Sequence, residues 1–160
     1  MRYDVLTGGP RPLTVIVADD DSVVAAGFTG LAELQERVGV TDSPAQTRIE
    51  WLREVWARYL NGDLAAFDQM NIRQQGSPTQ AAVWDSLRQV PPGEPLSYSQ
   101  LAEEIGKPRA ARAVGSACGA NRVAPFVPCH RVIAADGSLG GYGYGLVIKE
   151  WLLSHEGVGE

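Results

Sequence analysis

A tight turn at Gly106-Lys107-Pro108 constrains the fold more than any other feature of this sequence. Before it, Ser97 can cap a short helix over residues 98–105, because its hydroxyl accepts a hydrogen bond from a first-turn N–H. After it, residues 109–118 form a second short segment, rich in alanine and able to approach another surface closely. Two short helices joined by a glycine-containing turn are typical of a helix-turn-helix, whose second helix usually enters a DNA groove. Such pairs also occur as simple packing units, so the pattern alone leaves both interpretations open.

The distribution of charge favours the DNA-binding interpretation. The chain carries a formal net charge of −5, which by itself argues against a polyanionic partner. Residues 105–135, however, contain five basic side chains and no acidic one, so the rest of the chain carries −10. A basic island of this kind can face phosphates while the remaining surface repels them. The alternative is a solvated basic face with no partner.

The segment Val127-Pro128-Cys129-His130-Arg131-Val132 predicts a reactive cysteine. A thiol becomes a nucleophile only as the thiolate, and a neighbouring base or cation lowers the free-energy cost of that charge. The alternative is a buried structural cysteine, since free cysteines are among the most buried residues. The other cysteine, Cys118, lies eleven positions earlier, and neither has a Cys/His partner at metal-ligand spacing. We therefore predict neither a disulfide framework nor a metal site.

The first 75 residues predict a small sheet covered by a helix, which we take as an N-terminal structural domain. Ser43-Pro44 is a typical helix start, and apolar residues continue at helical spacing to Asn61-Gly62. A polar stretch at residues 73–76 is expected to lead into a second domain, over residues 76–160. The β-branched and aromatic runs bounded by turn residues are expected to form strands over residues 2–6, 13–18, 23–28 and 67–72.

The second domain is predicted to be mostly helical. Ser77-Pro78 begins a helix that Pro91-Pro92-Gly93 ends, and the helix-turn-helix follows. Residues 126–135 form a short buried segment that holds the cysteine, and a closing helix is expected over residues 146–155. The glycine-rich stretch between them, residues 136–145, lacks the Gly-Lys-Ser/Thr ending of a phosphate loop, so it is better explained as a flexible wall for a flat substrate or as an irregular connection.

These elements predict an α+β fold, with an N-terminal sheet-plus-helix unit followed by a mostly helical, winged-helix-like unit that carries the cysteine. The hydrophobic content of 44% is ordinary for a globular protein. No apolar run reaches the roughly 18 residues needed to span a bilayer, and the N-terminus lacks the apolar core of a signal peptide. The sequence therefore predicts a cytoplasmic protein with no membrane partner.

A set of C-terminal motifs occurs in one order, namely Ser97-Tyr98, Ala111-Arg112-Ala113-Val114-Gly115, Asn121, Pro128-Cys129-His130-Arg131-Val132, Gly141-Tyr142 and Lys149-Glu150-Trp151-Leu152-Leu153-Ser154-His155-Glu156. This set resembles the O6-alkylguanine-DNA alkyltransferases over roughly residues 83–158, about half of the chain. The resemblance implies irreversible transfer of an alkyl group from O6-alkylguanine, with O4-alkylthymine as a second candidate, to a cysteine of the protein. It also implies double-stranded DNA as the partner, a monomer and no cofactor.

The resemblance implies a role for each catalytic residue. Cys129 is the alkyl acceptor, and His130 takes its proton through a water molecule. Glu156 orients the imidazole and stabilises its charge, in keeping with the logic of a nucleophile, a base and an orienting group. Asn121 organises a hinge, and Tyr98 donates a hydrogen bond toward N3 of the departing guanine.

The resemblance also implies how damaged DNA is held. The alkylated nucleotide is flipped out of the duplex, and Arg112 fills the gap that it leaves. Contacts with DNA are expected from Arg112, Tyr98, Ala111 and Arg131. The flipped base is expected to lie in a pocket formed by Val132, Tyr142, Gly143 and Tyr144.

Two positions depart from the family pattern. Tyr144 stands where the family commonly has a small residue, so we expect bulky adducts such as benzylguanine to react more slowly than methylguanine. Thr79 replaces an aromatic residue, which puts core packing in doubt.

Two other functions stay open. The first is a module that recognises alkylguanine in DNA without reacting, and the second is a cysteine hydrolase that uses Cys129 and His130.

Overall fold

The computed structural model describes residues 1–158, and the chain divides into two compact units. The first comprises Met1–Gln74 together with Arg122–Phe126, and the second comprises Gln75–Asn121 and the chain from Val127 onward. A small sheet lies in the N-terminal unit and most helices lie in the other, which confirms the predicted α+β class. The roles assigned to the two predicted domains stay predictions.

The first unit is built on a four-stranded sheet, and its strands are β1 Arg2–Leu6, β2 Leu13–Val17, β3 Val23–Gly27 and β4 Ala45–Gln46. The central strand β2 is buried along its whole length, which explains why it is an uninterrupted apolar and β-branched run. Strands β2 and β3 form an antiparallel hairpin, and Asp21 in its turn has a φ of 66°. Strands β1 to β3 pair antiparallel and β4 pairs parallel to β1. The order of the strands across the sheet is β3-β2-β1-β4.

The helices of this unit differ from the prediction. Helix α1, Leu31–Val38, was not predicted, because a polar helix with Leu34 as its one buried residue gives a weak apolar pattern. Helix α2, Glu50–Leu60, begins six residues later than Ser43-Pro44 suggests. The buried carboxylate of Asp4 accepts a hydrogen bond from the Ile49 N–H at 3.0 Å, so the helix start is set by a strand residue remote in sequence.

The predicted strand over residues 67–72 is wrong. The segment forms turns, and only Ile72 bridges to the sheet, at Val23. The ring of Phe67 instead lies 4.5 Å from that of Tyr59 and 4.9 Å from that of Phe126, between centroids. This aromatic packing also explains why Arg122–Phe126 belongs to the first unit, although the predicted boundary placed it in the second domain.

The second unit contains the predicted helix-turn-helix. Both Ser77 and Ser97 form complete capping boxes, with Gln80 and Gln100 three residues later. The indole Nε1–H of Trp84 donates to the Ala117 carbonyl at 2.9 Å, so packing does not depend on Thr79, which lies half-buried and accepts from Lys107 Nζ at 2.7 Å. The helices are α3 Pro78–Leu87, α4 Tyr98–Glu104, α5 Ala111–Gly119 and α6 Leu146–His155.

Two short parallel strands complete this unit. Strand β5, Leu96–Ser97, leads directly into α4, and strand β6, Val132–Ile133, follows a single 3-10 turn at Cys129–Arg131. Their pairing brings the start of α4, where Tyr98 lies, beside the segment that carries Cys129. No helix within residues 1–158 is both long and apolar enough to cross a membrane.

Candidate active site

The 3-10 turn separates the side chains of three consecutive residues. With about three residues per turn, successive side chains point in directions about 120° apart. Cys129 is half-buried and lines a cavity, whereas His130 and Arg131 are buried in the interior. The turn is held by hydrogen bonds from the Cys129 N–H to the Val127 carbonyl and from the Arg131 N–H to the Pro128 carbonyl, both at 2.9 Å. The local backbone therefore places the Cys129 thiol at the cavity and the side chains of His130 and Arg131 in the interior.

His130, Arg131 and Glu156 form a buried hydrogen-bonded cluster. Glu156 is the residue at the end of α6, and its Oε2 lies 2.8 Å from His130 Nε2. Arg131 donates from Nε to Glu156 Oε1 at 2.8 Å and from Nη2 to Oε2 at 3.1 Å. A third bond joins Arg131 Nη1 to the Val90 carbonyl at 3.0 Å. The predicted pairing of the histidine with Glu156 is thus present in the geometry, together with an arginine that was assigned elsewhere.

The electrostatics of the cluster determine which imidazole nitrogen is basic. Burial alone would raise the pKa of Glu156. The charge that His130 carries when protonated, its hydrogen bond, and the hydrogen bond and permanent charge of Arg131 outweigh burial and lower the pKa to about 2. An ionised carboxylate only accepts hydrogen bonds, so Nε2 of His130 carries the proton of the neutral ring. Nδ1 then holds the lone pair, and it has no hydrogen-bond partner within the described part of the chain. Burial lowers the pKa of His130, against the opposing effect of Glu156.

Cys129 is protonated at rest. Burial raises the pKa of its thiol, while a hydrogen bond from Asn121 and the charge of Lys149 act in the opposite direction. The Asn121 amide also donates to the Val127 carbonyl at 2.8 Å, so Asn121 joins the end of the helix-turn-helix to the cysteine segment. A thiol of this kind needs a base before it can act as a nucleophile.

Lys149 is a functional candidate that the sequence analysis missed. Its side chain is buried, with 0% exposure, and Nζ donates to the Val132 carbonyl at 2.7 Å and to the Gly141 carbonyl at 3.1 Å. The two carbonyls belong to β6 and to the glycine-rich stretch, so the ammonium group joins β6 to a stretch that lines the cavity. Burial lowers the pKa of Lys149, while the thiols of Cys129 and Cys118 raise it. The signal in the sequence was a lysine on the face of α6 that otherwise carries aliphatic side chains.

The cavity has a volume of about 190 Å³. Tyr98 forms one wall, half-buried, and burial raises the pKa of its hydroxyl. A Cβ built on Gly140, where φ is 70°, would lie 2.9 Å from that hydroxyl, so the close approach of this loop requires glycine. The residues that line the cavity are Tyr98, Gly115, Cys118, Gly119, Cys129, Gly141, Tyr142 and Gly143.

The residues that line the cavity are only partly those of the predicted pocket. Tyr142 and Gly143 line the cavity as predicted, but Val132 and Tyr144 do not. The Val132 side chain is buried, and the Tyr144 ring packs against the Tyr142 ring at 6.0 Å between centroids. Gly115, Cys118 and Gly119 were missed as lining residues, although their i, i+3, i+4 spacing places small residues on one face of α5. Burial raises the thiol pKa of Cys118 to about 12.

The residues predicted to contact DNA separate into two groups. Arg131 is wrong as a DNA contact, because its side chain is buried and fully engaged by Glu156 and Val90. Arg112 is exposed in the first turn of α5 and Ala111 is half-buried beside it, so their predicted contacts stay predictions. Within residues 1–158, no group of three or more potential metal ligands is close enough to hold an ion.

The sequence of this chain is similar to a known protein family and to several named proteins. Residues 78–158 match the family model described as 6-O-methylguanine DNA methyltransferase, DNA binding domain. A methylated-DNA–protein-cysteine methyltransferase of Methanosarcina acetivorans is 42% identical over 160 residues, covering 98% of this chain and 99% of the relative. That of Salmonella typhimurium is 49% identical over 106 residues, covering 66% of this chain, and the matched part spans only 62% of the relative.

Solved structures give a similar result. The structure of Mycobacterium tuberculosis OGT in complex with DNA matches with a TM-score of 0.75 and 33% sequence identity, over 98% of this chain and 92% of that one. The O6-methylguanine-DNA methyltransferase of Pyrococcus kodakaraensis matches with a TM-score of 0.78 and 27% identity, over 98% and 99% of the two chains.

Proposed function

The chain belongs to the 6-O-methylguanine DNA methyltransferase family, and on this premise we propose that it repairs alkylated DNA directly. The alkyl group moves from O6 of guanine, with O4 of thymine as a second substrate, to Sγ of Cys129. The observation that carries the proposal is the pairing of a cavity-facing thiol with a buried imidazole whose Nε2 is held by Glu156 and whose Nδ1 lone pair is available.

The first step of the proposed reaction is removal of the thiol proton. His130 Nδ1 accepts it through one water molecule, since the side chains of adjacent residues on a 3-10 turn diverge. The resulting imidazolium is stabilised by the Glu156 carboxylate at 2.8 Å. Lys149 and the Asn121 amide favour the thiolate, because both lower the pKa of Cys129.

The second step is displacement at the alkyl carbon. The bond from Sγ to carbon forms as the bond from carbon to O6 breaks, and the electron pair of the broken bond leaves with guanine. The Tyr98 hydroxyl at the cavity wall donates a hydrogen bond to the purine, which takes up a proton overall. The products are unmodified guanine and an S-alkylcysteine. A thioether has no easy leaving group, so each protein molecule acts once.

The helix-turn-helix gives the reaction access to a base inside a duplex. Extruding a nucleotide costs a few kcal/mol, and a side chain inserted into the stack offsets part of this cost. Exposed Arg112, at the start of α5, takes that position in the proposal. Small residues along α5 allow its backbone to approach the DNA, and the flipped base enters the cavity that the other face of α5 lines.

The proposal is tested by following the DNA product. A duplex oligonucleotide with one O6-methylguanine is incubated with increasing amounts of protein, and restored guanine is measured by nucleoside chromatography. One guanine per protein molecule is expected, with no product from Cys129→Ser and full product from the matched control Cys118→Ser. Many guanines per protein molecule would contradict the proposal in favour of a turnover enzyme, and tight binding without product would favour a recognition module.

A further inference from the structure

Arg131 is a charged member of the Pro-Cys-His-Arg motif to which the proposed reaction gives no role. The residue is 5% exposed, so its guanidinium is removed from any DNA phosphate. Three of its nitrogens donate hydrogen bonds, two to Glu156 and one to the Val90 carbonyl. The planar fork of a buried arginine with these contacts fixes the orientation of the carboxylate that it binds.

The contacts around Glu156 restrict the carboxylate to one arrangement. Arg131 donates hydrogen bonds to both carboxylate oxygens of Glu156. The Oε2 atom lies 3.1 Å from Arg131 Nη2 and 2.8 Å from His130 Nε2, so both side chains bind the same oxygen. Arg131 is itself held from the far side by the Val90 carbonyl, beyond the end of α3. The carboxylate therefore cannot rotate away from the imidazole without breaking a bidentate pair.

We propose that Arg131 is a positioning residue that selects the tautomer of His130. By keeping Glu156 ionised and fixed against Nε2, it makes Nδ1 the basic nitrogen of the ring. This inference deepens the proposed function and rests on it, because Nδ1 is the atom that takes the thiol proton. Without Arg131, a buried Glu156 would bind a proton and donate it to Nε2, and the ring would then carry its own proton on Nδ1.

The charge balance supports this role. Burial raises the pKa of Glu156, whereas the charge of a protonated His130, the hydrogen bonds from His130 and Arg131, and the charge of Arg131 lower it. His130 is neutral at rest, so Arg131 is the permanent positive charge in contact with the carboxylate. Lys149 is the other cation that acts on the imidazole, and it lowers the pKa of His130 as Arg131 does. The groups that act on the cluster are thus His130, Arg131, Lys149 and Glu156.

The tautomer can be measured without DNA. Long-range proton–nitrogen NMR spectra of the ¹⁵N-labelled protein distinguish a protonated ring nitrogen from an unprotonated one. The chain has two histidines, so His155→Gln isolates the signals of His130. We expect an unprotonated Nδ1 in the native protein and a protonated Nδ1 in Arg131→Met. Arg58→Met, which removes an exposed arginine paired with Asp63, is the matched control and should keep the native spectrum.

Arg131→Lys covers the case in which Arg131→Met does not fold. The lysine keeps the charge but lacks the planar fork, so we expect mixed tautomers and a slower transfer. In Arg131→Met, the acid limb of the transfer rate should move to higher pH by on the order of one pH unit or more, because Glu156 has lost its adjacent cation. In Arg131→Lys that limb should stay close to its native position.

A native tautomer in both Arg131 variants would overturn the inference. The same holds for a native pH profile in a folded Arg131→Met protein. Failure of the proposed function is a separate result, because it would be seen as absence of alkyl transfer in the unmodified protein, whatever the tautomer of His130.

Discussion

Cys129, His130 and Arg131 are consecutive in the chain, yet they occupy three different environments. The sequence identifies the first two because a thiol beside an imidazole predicts nucleophilic chemistry. It does not reveal which way each side chain points, since that depends on the 3-10 turn. Arg131 was therefore assigned to the DNA surface, although it binds Glu156 in the interior. Glu156 itself was predicted only through the family resemblance.

Lys149 acts on the Cys129 thiol, and sequence reasoning did not identify it as a functional residue. Replacing Lys149 with methionine removes a cation that lowers the pKa of the Cys129 thiol. We expect the rate of Cys129 alkylation by iodoacetamide at neutral pH to fall on the order of tenfold, the change in thiolate that accompanies a shift of about one pKa unit. Peptide mass spectrometry after timed alkylation measures this rate.

The matched control is Lys107→Met, since Lys107 is exposed and its Nζ donates a hydrogen bond to the Thr79 hydroxyl, away from the cavity. Its alkylation rate should equal that of the native protein. An unchanged rate in a folded Lys149→Met protein would show that the ammonium does not stabilise the thiolate.

Helix α5 contributes three of the residues that line the cavity. Gly115, Cys118 and Gly119 line the cavity, and a Cβ built on either glycine meets no atom within 4 Å, so larger side chains there would extend into free space. We expect Gly115→Val to slow the reaction with O6-benzylguanine more than that with O6-methylguanine, because the benzyl group needs more of the roughly 190 Å³. Competition between the two free bases, read by mass spectrometry, gives the ratio.

Tyr144 serves as the comparison for this prediction. The sequence predicted that its phenol narrows the pocket, but the ring packs on Tyr142 and does not line the cavity. Tyr144→Gly should therefore leave the ratio of benzyl to methyl reaction unchanged. A larger change from Tyr144→Gly than from Gly115→Val would return size control to the glycine-rich stretch.

The two capping boxes offer a further test at the level of elements. Ser77 begins α3 and Ser97 begins α4 with the same side-chain hydrogen bonds, so each change to alanine should cost about 1 kcal/mol of stability. Only Ser97→Ala should also slow alkyl transfer, because Tyr98 is the first residue of α4 and forms a cavity wall. Urea unfolding and single-turnover rates measure the two effects, and equal slowing by both variants would contradict the special position of α4.

These caps also explain which elements the sequence could predict. Helices with a serine cap and a glycine or proline stop were predicted close to their observed bounds, because those signals are local. The predicted start of α2 was wrong, since the N–H of Ile49, the residue before the helix, is bound by Asp4 on β1. The strand at residues 67–72 was wrong because the Phe67 ring packs with Tyr59 and Phe126 instead of pairing in the sheet. Both errors come from contacts that are distant in sequence.

For the whole molecule, buried titratable groups predict how stability depends on pH. The pKa of His130 is lowered by burial from its usual 6.5, so acidification protonates the unfolded chain before the folded one. Stability is therefore complete above that pH and falls as pH drops from 7 toward 5. Below about 4.5 it falls further, because the pKa of Glu156 is about 2 in the folded protein against 4.5 in an unfolded chain.

Because the chain has two histidines, replacing each in turn tests whether His130 causes the loss of stability between pH 7 and pH 5. Thermal unfolding at pH 7 and at pH 5.5 should show a lower Tm at the acidic pH in the native protein and in His155→Gln. The difference should shrink in His130→Gln, which cannot bind the proton. A Tm that rises on acidification, or a full decrease in His130→Gln, would contradict the account of the buried imidazole.

The most direct measurement for the central claim is the mass of the protein after reaction. The protein is incubated with an excess of duplex that contains one O6-methylguanine, and its intact mass and tryptic peptides are then measured. The mechanism predicts a gain of one methyl group per molecule, confined to the peptide that holds Cys129 and absent from Cys129→Ser. An unmodified mass after prolonged incubation, or a methyl group on Cys118 in place of Cys129, would contradict it.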